Sequence, residues 1–137
     1  LFDQKVEMDL GRNVTVSGGF AVQEGLDWLL DIPKETMVWR PRNMELYFEV
    51  EDFDAFLEKL AAYPEVEQVH PPKKHEWQQR VARIFDPDGH IIEIGESMKV
   101  IAQRYLRMGC SVEETAQIIQ HLAEFVESCL REVTPNP

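Results

Sequence analysis

Phe85-Asp86-Pro87-Asp88-Gly89-His90-Ile91-Ile92-Glu93 is the stretch that decides the fold. Asp86-Pro87-Asp88-Gly89 reads as a compact turn: proline presets φ, the aspartates cap the backbone, and glycine supplies a left-handed position. Short β-rich runs flank it, Val81 to Phe85 and His90 to Ile94, so the turn joins two antiparallel strands. Strand parity then matters. Ile92 and Ile94 share a face with a two-residue period, which puts Glu93 on the opposite face beside Ile91. A carboxylate on the far side of a half-buried strand sits in water or lines a cavity, and that alternative governs the function.

Working outward, Glu45-Leu46-Tyr47-Phe48-Glu49-Val50 repeats the pattern. Leu46, Phe48 and Val50 form one face, and Glu45, Tyr47 and Glu49 the other. A helix signal follows at once. Asp52 is the N-cap, Asp54 lies in the first turn, and Phe53, Phe56, Leu57 and Leu60 recur at helical spacing. Pro64 stops it. A short strand is expected over Val66 to Val69, then a polar loop containing Pro71-Pro72 and Lys73-Lys74, then the two strands around the turn. The order over residues 45–95 is β-α-β-β-β. Its helix should cover the face bearing Leu46, Phe48, Ile92 and Ile94, leaving Glu45, Tyr47 and Glu93 on the other.

This segment, from E-L-Y-F-E-V-E-D-F-D-A-F-L-E-K-L to F-D-P-D-G-H-I-I-E-I, resembles the second βαβββ module of the vicinal oxygen chelate superfamily. That group includes glyoxalase I, fosfomycin- and bleomycin-resistance proteins and extradiol dioxygenases. The resemblance implies an α+β fold in which paired modules form a curved mixed sheet around a cavity. It spans residues 1–96, with the second module at 45–95 and a helical appendage at 97–137. The chain opens in what resembles the second strand of the first module, so the opening strand and helix, with one ligand position, are expected to be absent. Val14 to Ser17, Gly18-Gly19 and Phe20 to Glu24 form a hairpin that loosely repeats the one at 81–94. Residues 25–41 form an apolar connection.

The resemblance also implies site residues. Glu93 matches the second-module carboxylate, Glu24 its first-module counterpart, and Glu45 a position where the family usually offers histidine. These three are the expected metal ligands, and Glu93 the expected catalytic acid or base. Tyr47, Trp77 and Gln79 are expected to bind substrate. An all-carboxylate set is hard, suiting Mg²⁺, Mn²⁺ or Ca²⁺ better than Zn²⁺. Both metal-bearing members (Mn, Mg, Ni or Zn) and metal-free members of the superfamily exist, so both remain open. His90 reads as a turn residue, and His70 and His121 read as surface residues.

The tail is different in kind. Met98, Ile101, Tyr105 and Met108 mark a helix ended by Gly109. Ser111-Val112-Glu113-Glu114 is a capping box opening a second, and Leu122, Phe125, Val126, Cys129, Leu130 and Val133 mark a third. G-C-S-V-E-E-T-A is similar to the opening of helix-turn-helix units. Charge argues against that reading, since the third helix carries Glu124, Glu127 and Glu132 against Arg131, and phosphates would be repelled.

Composition sets the remaining bounds. The 137 residues carry 25 acidic against 14 basic side chains, a net charge of −11. Six acids and four bases fall after residue 95, so the acidity concentrates in the sheet region and disfavours nucleic acid. No apolar run approaches the ~18 residues of a membrane span. Cys110 and Cys129 lack metal-ligand spacing, and Cys129 reads as a packed free thiol, consistent with a cytoplasmic protein. The expected partners are a small-molecule ligand and, by resemblance, a second copy in a homodimer. Two function classes follow: a metal-dependent glyoxalase- or dioxygenase-type enzyme acting on a small oxygen-bearing metabolite, or a non-catalytic binder of the resistance-protein kind.

Overall fold

The computed structural model describes residues 1–133. The chain separates into two compact units, residues 1–39 and 40–137. In the first, β1 (Val6–Asp9), β2 (Asn13–Val16) and β3 (Phe20–Gln23) form an antiparallel sheet in that order, followed by the short helix α1 (Leu26–Leu30) and a 3₁₀ turn at Lys34–Thr36. The expected hairpin around Gly18-Gly19 is β2–β3, with Val16 opposite Phe20. No residue of this unit is buried.

The second unit contains β4 (Glu45–Val50), α2 (Phe53–Ala61), β5 (Gln68–Lys74), β6 (Arg80–Phe85) and β7 (Ile91–Glu96). This is the βαβββ order expected from sequence. The sheet runs β4-β7-β6-β5, with β4 parallel to β7 and the other pairs antiparallel. The chain is therefore α+β, with a mixed sheet in this unit.

The local chemistry explains these elements. At the β6–β7 turn the Asp86 N–H donates to the His90 carbonyl at 2.9 Å, and Oδ1 of Asp86 accepts from the N–H groups of Asp88 and His90 at 2.9 and 2.8 Å. Gly89 takes φ +80°, a value costly for any residue with a Cβ. Asp52 caps α2 by accepting from the Ala55 N–H at 2.9 Å.

The helix α2 lies on the even-numbered face of β6, where Arg80 reaches Asp54 at 2.6 Å and Phe53 at 5.1 Å from the ring centroid. Phe53, Phe56, Leu60, Ala82, Ile84 and Ile94 are all buried. Leu46 and Phe48 depart from expectation, remaining 46% and 37% exposed. Their strand, β4, lies at the sheet edge with β7 as its one neighbour, so it has cover on one side only.

A second departure concerns β5. The Pro71-Pro72-Lys73-Lys74 stretch expected as loop belongs to the strand. β5 is the opposite edge, and its register against β6 shifts between Gln68 and His70 and again between His70 and Lys73. Edge position and bulges both tolerate proline, whose missing N–H would break an interior ladder.

Three helices follow, α3 (Met98–Arg107), α4 (Val112–Ile118) and α5 (Ala123–Val133). The capping box is formed: Ser111 Oγ accepts from the Glu114 N–H at 3.1 Å, and the Glu114 carboxylate from the Ser111 N–H at 2.8 Å. Met98, Ile101, Ala102, Ile119, Val126 and Cys129 form their core. Cys129 is a buried free thiol. The side chain of Val133, the last of the expected stripe, lies outside the described residues. Among the described residues, no helix is long and apolar enough to cross a membrane.

Candidate functional site

Strand register places one polar row straight across the second sheet. Tyr47 on β4 is opposite Glu93 on β7, Glu93 is opposite Arg83 on β6, and Arg83 is opposite His70 on β5. All four lie on the face away from α2, as parity required for Tyr47 and Glu93. Glu93 is buried, its side chain 7% exposed, and it forms an ion pair with Nη2 of Arg83. Nε of the same guanidinium donates to Oε2 of Glu45 at 3.0 Å, and Nη1 lies 3.4 Å from Nε2 of His70.

Desolvation is the largest influence on the Glu93 carboxyl. Burial pushes its pKa up, Arg83 draws it down, and the neighbouring Glu45 carboxylate pushes it up again; the balance stands above the usual glutamate value. Glu45 and Glu93 are thus brought together, as the sequence reading required of two of its three glutamates. Glu24, the third, follows β3 in the first unit and is exposed, its backbone N–H bonded to the Arg12 carbonyl at 2.7 Å.

The expected substrate-binding residues form a connected chain. Gln79 is buried and bonded at both ends of its amide: Oε1 accepts from the Trp77 indole at 2.9 Å, and Nε2 donates to the Tyr47 hydroxyl at 2.7 Å and the Glu96 carbonyl at 3.0 Å. The Tyr47 hydroxyl donates in turn to Glu49 at 2.7 Å, and the other Glu49 oxygen accepts the Met98 N–H opening α3 at 3.3 Å. Gly95 makes this possible, because a Cβ there would lie 2.5 Å from Nε2 of Gln79 and 3.1 Å from the Tyr47 ring. Desolvation and the Glu49 bond push the Tyr47 pKa up to about 12, so the phenol stays protonated and donates. His75 stacks on Trp77 with centroids 4.1 Å apart and planes within 5°. A cavity of about 260 Å³ opens beside them, lined by Trp77, Gln79, Met98, Ile119, Gln120 and His121.

Sequence reasoning missed Arg83, and it set His70 on the surface. His70 is instead half-buried, its Nδ1 2.7 Å from the Pro71 carbonyl oxygen and its Nε2 toward Arg83. A signal was present: a hairpin centred on Asp88 sets Arg83 as far before the turn as Glu93 lies after it. His121 is exposed, with its ring against Phe125 at 4.0 Å.

The glyoxalase-like domain family matches residues 1–99, the sheet units and the start of α3. The chain belongs to that family. The glyoxalase-like domain is 42% identical to a protein of unknown function from Agrobacterium tumefaciens, covering 69% of this chain and 75% of that one, with a TM-score of 0.57. It shares its fold with a glyoxalase-related enzyme from Fulvimarina pelagi, at 20% identity, coverage of 70% and 72%, and a TM-score of 0.55. No curated protein matches it.

Members of this superfamily typically hold a divalent metal, and the residues here can be tested for one. Such an ion needs open oxygen lone pairs at about 2.0–2.6 Å. Oε2 of Glu45 and Oε2 of Glu93 both face the Arg83 guanidinium, so the pair as arranged already shares one cation and does not fit a metal. Among the described residues, the ligand atoms of Asp86, Asp88 and His90 lie within ligating distance of one another. Both Asp86 oxygens and the His90 ring are engaged in closing the β6–β7 turn, with the ring 3.0 Å from Oδ2 of Asp86.

Proposed function

We propose that this glyoxalase-like domain binds a small oxygen-bearing metabolite against the Glu93 face of the second sheet and moves a proton on it. The reading is supported above all by the row Tyr47–Glu93–Arg83, which sets a buried carboxyl beside a fixed cation and close to a protonated phenol. Glu93 would exchange the proton, the work of a general acid or base. Arg83 would face the negative charge that develops on the substrate oxygen when an adjacent C–H is deprotonated, an enediolate-like species. Tyr47, held by Gln79, and Trp77 would orient the substrate. Glyoxalase-type proton transfer is favoured over dioxygenase chemistry because the row offers a proton-exchanging carboxyl beside a fixed cation, the two groups that deprotonation next to a carbonyl needs.

The direct experiment is proton NMR in D₂O with a panel of small α-hydroxy and α-oxo carbonyl compounds. Wild-type protein should wash deuterium into the α-position of at least one of them, and Glu93→Gln should abolish that exchange while retaining binding. Saturable binding with no exchange in either protein would establish the non-catalytic reading instead. A homodimer belongs to the same proposal, since the first unit buries none of its residues and exposes Val22, Trp28, Leu29 and Leu30. Light scattering after size exclusion should return twice the 15.9 kDa chain mass.

A further inference from the structure

We infer that Arg83 takes the place of a metal in this chain: its guanidinium is the site's built-in cation, and it closes the Glu45–Glu93 pair to divalent ions. The inference deepens the reading of the Glu93 face given above and rests on it for the location of the site.

Three observations carry it. Arg83 is held by register, directly opposite Glu93 on β7 and opposite His70 on β5, so its position comes from the sheet ladder as well as from its own rotamer. Its side chain is 18% exposed and reaches both carboxylates at once, with Nε to Glu45 and Nη2 to Glu93. His70, the nearby imidazole, also faces the guanidinium through Nε2. One oxygen of each carboxylate that a divalent ion would bridge is therefore already turned to Arg83.

Electrostatics makes the arrangement exclusive. An arginine carries its charge at every accessible pH and offers five N–H donors in a planar fork. An ion entering between Glu45 and Glu93 would displace that fork and leave a largely buried guanidinium beside a new dication. Losing one partner of a buried pair is strongly unfavourable, and a second positive charge at close range adds to the cost. With one N–H each turned to Glu45, Glu93 and His70, two of the five remain for a ligand oxygen. The ligand class this fits is a small molecule presenting an oxyanion, or an oxygen that becomes one, recognised without metal bridging.

The test uses the full chain and Mn²⁺, whose six-line electron paramagnetic resonance signal disappears on binding. Wild type should leave the signal of free Mn²⁺ unchanged at millimolar ion. Arg83→Met and Arg83→Gln should each take up one Mn²⁺, because the Glu45 and Glu93 carboxylates lose the cation they share, and adding Glu93→Gln to either should remove that uptake. Circular dichroism establishes that the variants fold.

Wild-type uptake that Glu93→Gln abolishes would overturn the inference, since the pair would then be open despite Arg83. Folded Arg83 variants that stay silent overturn it too, because the carboxylates would not be a latent metal pair. Should both Arg83 variants unfold, the comparison of wild type with Glu93→Gln decides alone: no uptake supports the inference and Glu93-dependent uptake overturns it. The readout is independent of catalysis, so a failed deuterium-exchange assay leaves this result standing.

Discussion

Gln79 reaches the Tyr47 hydroxyl at 2.7 Å by crossing strand β7 over Gly95. The crossing needs a residue without a Cβ beneath it, and it ties the edge strand β4 to the loop that carries Trp77. Gly95→Ala should therefore destabilise the protein by about 1–3 kcal/mol, the usual cost of forcing an atom into a packed site. Gln79 cannot simply move aside, because both ends of its amide are bonded. Urea unfolding followed by circular dichroism should show a lower midpoint with an unchanged slope.

Gln79→Leu removes the same link from the other side. It strips the Trp77 indole of its acceptor and the Tyr47 hydroxyl of its donor while keeping a similar volume. Unmet polar groups in a partly buried setting cost about 1–3 kcal/mol in total. If Tyr47 is positioned through Gln79, ligand affinity at the Glu93 face should fall as well, whereas Gln78→Ala on the neighbouring loop residue should leave it unaltered. Isothermal titration with any ligand found by the NMR panel measures both.

Much of the fold was legible because its signals are local. The Asp86–Gly89 turn, the Asp52 cap and the Ser111–Glu114 capping box each act within a few residues, and each forms where the sequence placed it. Two-residue parity likewise put Tyr47 and Glu93 on one face. What sequence did not yield depends on register and close approach. Arg83 sits between Ala82 and Ile84 in an apolar run, and its role appears when the strand across from it is known. Gly95 reads as a plain strand residue until Gln79 is seen above it. His70 was misplaced because Pro71-Pro72 reads as loop, although an edge strand with shifted register accommodates both prolines.

On the helix side, Glu96 is buried and paired with two arginines, Arg80 at 3.1 Å and Arg104. Burial pushes its pKa up, but Arg80 and then Arg104 outweigh that and hold it below the usual glutamate value. A lowered folded-state pKa stabilises above the unfolded value, about 4.3, and that stability is lost as pH falls through the folded value. Glu96→Gln should cost on the order of 2 kcal/mol at pH 7, below the full buried-pair range because both guanidinia reach water. The gap to wild type should narrow steadily below about pH 4.3 in denaturation curves taken at several pH values.

Ser111→Ala should loosen the second of the C-terminal helices. It removes the acceptor for the Glu114 N–H and half of the reciprocal box, at a cost of about 1 kcal/mol. Ser111→Asp should retain most of the stability, since aspartate caps as well and favours the positive end of the helix. Thermal melts of the two variants side by side check both.

The account rests most directly on Glu93 being a desolvated carboxyl that shares Arg83 with Glu45. Carbon-13 NMR of the Glu93 side-chain carboxyl, assigned by comparison with Glu93→Gln and followed from pH 3 to pH 9, reads this in one titration. The expected midpoint lies clearly above the ordinary glutamate value of about 4.3, and it should move further upward in Arg83→Met. A midpoint at or below the ordinary value, unmoved by loss of Arg83, would contradict the account.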